Sequence, residues 1–117
     1  RSGENIAAVE VESIFGRHPA IRGIAVAPVA DALRGEEVLA LIVPEPDHTA
    51  DAALARTLAL WCLERIAYYK VPGWIAFVDA RPLTATEKLQ RAEVRQLANA
   101  ALDDGRAHDM RPLKRLN

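Results

Sequence analysis

The run Pro82-Leu83-Thr84-Ala85-Thr86-Glu87-Lys88-Leu89-Gln90-Arg91 decides how the rest of the chain is read. It opens on proline and continues through small and hydroxyl residues. Apolar periodicity is absent until Leu89, the pattern of a surface loop entering a helix. Lys88 stands at the end of that loop, with Glu87 beside it and Arg91 three positions on. A lysine ammonium is a compact point charge with three donors, suited to lie between two anions. On a loop it can be swung into a neighbouring site.

Upstream, Trp74, Ala76 and Val78 alternate with Ile75 and Phe77, which predicts a short strand. Downstream, Val94, Leu97, Ala98, Ala101 and Leu102 give a last amphipathic helix. The longest periodic segment is 52–68, where Leu54, Leu58, Trp61, Cys62 and Arg65 share a stripe that predicts a helix. Thr49 is a candidate cap for it, and the run 69–73 breaks it. Residues 38–43 are continuously apolar, as in a strand buried on both faces, and Pro44 and Pro46 end them. In 22–29, Ile24 and Val26 alternate with Ala25 and Ala27, predicting another strand, and 30–36 form a polar connection. Val11, Ile14 and Phe15 line one face of a first helix that begins near Ala7, with Glu10 and Glu12 pointing elsewhere. That helix should stop at Gly16–Pro19. Residues 1–6 contain the turn formers Gly3 and Asn5 and read as a short hairpin-like opening.

The order helix, strand, strand, helix, strand, helix predicts a small α+β domain with a three-stranded sheet and packed helices. The domain is expected over 1–102. Beyond it, 103–117 read as a polar, poorly ordered tail, whose Arg111–Arg115 cluster has the composition of a solvated end.

The 117 residues suit one domain with a modest core. Formal net charge is -1, so no global field points to nucleic acid or to an anionic membrane. A single cysteine, Cys62, excludes an internal disulfide and a cysteine-based metal site. His18, His48 and His108 lack metal-ligand spacing, so no metal site is expected. His18 reads as a capping or packing residue, and Trp61 and Trp74 as packing residues. No apolar run approaches the ~20 residues of a membrane span. A cytoplasmic domain cut from something longer is expected.

The lysine run resembles the motif near the C-terminus of the adenylate-forming enzymes: acyl-CoA synthetases, peptide-synthetase adenylation domains and luciferases. Thr84, Thr86, Lys88 and Arg91 match that motif. Leu83 replaces its usual basic residue and Glu87 its usual glycine, a position where φ > 0 costs a side chain. Ser2-Gly3-Glu4-Asn5-Ile6, Glu10-Val11-Glu12 and His18-Pro19 resemble the start of the same family's C-terminal domain, in the right order and about the expected distance apart. The likeness spans roughly Gly3 to Leu97 and leans towards acyl-CoA ligases.

The resemblance implies a mobile domain of an AMP-forming ligase that works with a larger N-terminal domain of the same chain. Its substrates would be a carboxylic acid, ATP with magnesium, and CoA, none held by the isolated domain. Lys88 is implied as the adenylation lysine, with Thr84, Thr86, Glu87 and Arg91 supporting it. Gly3, Glu4 and Asn5 are implied at the pantetheine tunnel. Tyr69 and Lys70, in a segment resembling the family's aromatic-Lys-x-Pro, have two readings that stay open: contacts for the nucleotide end of CoA, or a helix terminator packed on the core. Two rival functions also stay open. One is a binding module that has lost its chemistry, and the other an adenylation domain that loads a carrier protein.

Overall fold

Alternating side chains on three strands sort the residues of one sheet between two separate cores. The computed structural model describes the backbone of residues 2–33 and 35–114, and the side chains of 8–33 and 35–114. In chain order the elements are α1 (Ser2–Phe15), β1 (Ile21–Asp31), β2 (Gly35–Pro44), α2 (Ala52–Leu63), β3 (Trp74–Phe77), α3 (Arg91–Asp103) and β4 (His108–Asp109). Short 3₁₀ turns lie at Tyr68–Lys70 and Arg111–Lys114.

The strands lie in the order β1-β2-β3-β4. β1 and β2 are antiparallel, with Val26 opposite Ala40. β2 and β3 are parallel, with Ala40 opposite Ile75, so α2 serves as the crossover a parallel pair requires. Ile24, Val26, Ala40, Ile42 and Ile75 face α1 and α2, where they meet Val11, Phe15, Leu58 and Cys62. Ala25, Ala27, Leu39, Leu41 and Ala76 face α3, where they meet Val94, Ala98 and Ala101. β2 therefore has no polar face, as its unbroken apolar run requires.

The chain adopts the α+β class expected, with a mixed sheet of four strands rather than three. The extra strand comes from the stretch expected to be a poorly ordered tail. β4 pairs with β3 at Ile75↔His108, and the Met110 amide donates to the Gly73 carbonyl at 2.7 Å. Arg111 reaches Asp31 at 2.9 Å and stacks on Trp74, 4.4 Å from the ring centroid. Lys114 is 1% exposed and donates to Glu37 at 2.6 Å. Polar composition reads as fraying because these partners are distant in the chain, Asp31 and Glu37 by 80 and 77 positions. Of the basic cluster, Arg115 falls outside the described residues, as does Arg34 in the β1–β2 connection.

Of the hairpin-like opening expected over residues 1–6, residues 2–6 instead form the start of α1, and residue 1 lies outside the described residues. Ala7 and Ala8 have high helix propensity. Extending a formed helix fixes one residue per added hydrogen bond, so the helix runs back through Asn5, Glu4 and Gly3. α2 ends at Leu63 rather than Tyr68. The Arg65 guanidinium donates to the Trp61 carbonyl at 2.8 Å and stacks on the Trp61 ring, satisfying a carbonyl at the end of the helix. Asp51, not Thr49, caps its start, its Oδ1 accepting from the Leu54 amide at 2.9 Å.

Candidate functional site: a lysine hairpin on the edge of the sheet

The loop carrying Lys88 is itself a hairpin. Leu83 pairs with Leu89, the Gln90 amide donates to the Pro82 carbonyl at 2.9 Å, and the Thr84 amide donates to the Lys88 carbonyl at 2.8 Å. The Glu87 amide closes the tip on the Thr84 carbonyl at 2.9 Å. Glu87 has φ 65°, the one positive φ outside glycine among the described residues. A turn followed by a left-handed residue is the bulged hairpin that glycine normally occupies. Glutamate there bears the strain anticipated from the sequence.

The threonines have defined work in this turn. Thr84 Oγ1 accepts from the Lys88 amide at 3.1 Å and lies 3.1 Å from Thr86 Oγ1. They fix the backbone of Lys88 while leaving its side chain exposed. Among the described residues no ion pair holds the Lys88 ammonium, and Glu87 does not reach it. Glu87 contributes a backbone conformation instead of a charge partner.

Arg91 is the first residue of α3 and grips Glu12 of α1 through both terminal nitrogens, at 2.7 and 2.9 Å. The same carboxylate accepts from the Val26 amide at 2.9 Å. The hydrogen bonds from Arg91 to Glu12 raise the Arg91 pKa. Two positions earlier on α1, Glu10 holds Lys70 at 2.9 Å, and its hydrogen bond raises the Lys70 pKa. Both glutamates, expected to point away from the face of Val11, Ile14 and Phe15, are thus paired across the fold. The available sequence signal was their place flanking Val11, which faces the core.

Tyr69 is 60% exposed, so it is not packed on the core, and Lys70 lies 6.0 Å from its ring centroid. Both residues line a cavity of about 400 Å³ whose walls include Ala8, Val11, Val26 and Val38. The backbone of Gly3, Glu4 and Asn5 lies in α1, and their side chains fall outside the described residues. The structure therefore joins Thr84, Thr86, Glu87 and Lys88 in one hairpin. It links Arg91 to α1, and it places Tyr69 and Lys70 at a separate cavity.

Cys62 is buried, and burial pushes its thiol up to about 12, so it is a packing residue without thiolate character at neutral pH. His18 accepts the Ala20 amide on Nδ1 at 3.0 Å and meets Trp61 edge-on. Among the described residues there is no group of three or more His, Cys, Asp or Glu that could hold a metal ion. Among them, too, no helix is long and apolar enough to cross a membrane.

Residues 10–88 match the AMP-binding enzyme C-terminal domain family, a match that ends on Lys88 itself. The chain belongs to that family. It is 42% identical over 96 residues to an indoleacetate–CoA ligase of Aromatoleum aromaticum, covering 81% of this chain and 18% of the relative. It is 34% identical over 96 residues to the mitochondrial medium-chain acyl-CoA ligase of Mus musculus, covering 82% and 15%. Among solved structures it resembles an acyl-CoA synthetase of Brucella canis, with TM-score 0.75, 32% identity and coverage of 81% and 18%. It also resembles an anthranilate CoA ligase solved with anthranoyl-AMP, with TM-score 0.73, 40% identity and coverage of 82% and 19%. The chain spans less than a fifth of the length of these relatives.

Proposed function

We propose that this domain supplies the adenylation lysine of an AMP-forming acyl-CoA synthetase. The observation that carries the reading is Lys88: exposed, unpaired among the described residues, and fixed at its backbone by Thr84. In the first half-reaction a substrate carboxylate oxygen attacks the α-phosphorus of magnesium-bound ATP. An acyl–phosphate bond forms, the α–β bridging bond breaks, and pyrophosphate leaves. Both reactants are anionic. A cation held between them offsets their repulsion and stabilises charge developing on the phosphate oxygens. A hairpin on a mobile domain can deliver that cation for one step and withdraw it for the next.

In the second half-reaction the CoA sulfur attacks the acyl carbonyl and AMP leaves. We assign to this step the first turn of α1, with Gly3, Glu4 and Asn5, and the Tyr69–Lys70 rim of the cavity. The partners are the larger domain of the same enzyme, a carboxylic acid and CoA. The relatives named as CoA ligases favour CoA as acceptor.

The test is single-turnover kinetics of the full-length enzyme carrying this chain. Lys88→Ala is expected to slow adenylate formation by about 2–4 kcal/mol of barrier, the size of a removed electrostatic donor. Preformed acyl-adenylate should still give thioester. Unchanged adenylation would reduce the domain to a binding module.

A further inference from the structure

The geometry points to Arg81 and Arg91 as positioning residues that hang the Lys88 hairpin from the open edge of β1, with Glu12 anchoring Arg91. This rests on the reading of Lys88 as the adenylation lysine.

β1 is the first strand in the sheet, so one of its edges lacks a partner strand. Arg81 precedes the hairpin and donates to the Ile24 carbonyl at 3.2 Å. Arg91 follows the hairpin and donates to the Val26 carbonyl at 3.5 Å, the long end of a hydrogen bond, while Glu12 accepts the Val26 amide. Both ends of the hairpin are thus tied to peptide groups two positions apart on one strand. Arg81 lies 57 positions from Ile24, and Arg91 lies 65 from Val26 and 79 from Glu12, so the ties of the arginines are long-range.

Residues 84–88 of the hairpin are all exposed, while Pro82, Leu83, Leu89 and Gln90 are partly buried and Leu89 packs at the base against the core that faces α3. The hairpin's internal bonds set its shape but not where it points. Beyond the packing of Leu89, the arginines supply that orientation, and the fold makes room for them. A side chain at Gly23 would put its Cβ 2.6 Å from Arg81 Nε, so the bare backbone there is what seats Arg81. Arg91 opens α3, where the helix dipole disfavours a cation. Its bidentate bond to Glu12, whose side chain is 13% exposed, offsets that placement.

The experiment compares Arg91→Lys, Glu12→Gln, Arg81→Met and Lys88→Ala in the full-length enzyme. Arg91→Lys keeps the charge and loses the fork. Each half-reaction is timed separately, and amide exchange is followed in peptides covering 82–90. The mount predicts faster exchange at Thr84, Glu87 and Lys88. It also predicts adenylation kcat lower by roughly tenfold to a hundredfold, with unchanged KM for ATP and an unchanged thioester step. Unchanged exchange with unchanged adenylation overturns it. A parallel fall of both half-reactions with a lower Tm also overturns it, because the arginines would then hold only the fold. If Lys88→Ala keeps full adenylation, the functional reading fails instead. Exchange then decides the mount alone: faster exchange supports it and unchanged exchange overturns it.

Discussion

Lys114 places its ammonium 2.6 Å from the Glu37 carboxylate, with the two side chains 1% and 2% exposed. The pair joins the end of the chain to β2, and Glu37 also accepts the Val38 amide at 2.9 Å. Such a pair is weak evidence of net stability, but removing one partner strands the other charge out of water. Lys114→Met should cost about 3–5 kcal/mol in urea unfolding. Adding Glu37→Gln should recover much of that, because the amide keeps an acceptor for Val38. A single-mutant change within about 0.5 kcal/mol, as at an ordinary surface site, would mean the tail is not packed.

Glu87 gives a second stability prediction, opposite in sign. Its φ of 65° is costly for a side chain and free for glycine. Glu87→Gly should stabilise the chain by up to about 1 kcal/mol, and Glu87→Val should destabilise it by more than that. Because Glu87 does not pair with Lys88, the glycine variant should keep most of the adenylation rate in the full-length enzyme. A loss as large as that of Lys88→Ala would show that the carboxylate takes part in the chemistry.

The contrast between Glu87 and Glu12 shows what the chain made legible. Glu87 sits in a local pattern, and the cost of its conformation follows from residues within four positions. The alternation of Ile24 and Val26 with Ala25 and Ala27 is likewise local, and it sorted the two cores correctly. Glu12 and Arg91 are 79 positions apart, Glu37 and Lys114 77. No periodicity encodes such pairs, because the topology alone brings them together. The order of the tail is hidden in sequence for a related reason, since its partners are distant in the chain. Its polar residues looked solvated until β3 and Asp31 supplied their partners.

His18 makes stability pH-dependent. Burial holds its pKa below the ordinary 6.5, with His48 and Arg65 adding to the depression. Its Nδ1 must stay unprotonated to accept the Ala20 amide. The folded state therefore favours the neutral ring. That stability is fully present above pH 6.5 and is lost as pH falls through the lower folded-state value. Tm should drop between pH 7.5 and pH 5. His18→Asn, whose side-chain oxygen can take over as acceptor, should flatten that limb. Asp109, held below the usual carboxylate range by Arg111, adds a separate loss below about pH 4 and should persist in the variant. An identical slope in both proteins would remove His18 as the cause.

Tyr69 and Lys70 line the cavity, apart from the exposed hairpin that carries Lys88. Lys70 is tethered to Glu10 and stands over a cavity, while Lys88 is carried on the exposed hairpin. If the domain turns between half-reactions, the two cations serve different steps. Lys70→Met keeps the aliphatic stem and removes a charge suited to a phosphate of CoA. It should raise KM for CoA several-fold with kcat nearly unchanged, the signature of lost ground-state binding. Adenylation should not change. Tyr69→Ala should act in the same direction if the exposed ring stacks a base. Lys88→Ala should show the reverse division, slow adenylation with thioester formation intact. The measurement is each half-reaction timed singly, with CoA varied in the second. If Lys70→Met and Lys88→Ala slow both steps equally, the domain works as one fixed lid, and the cavity rim has no separate part in CoA binding.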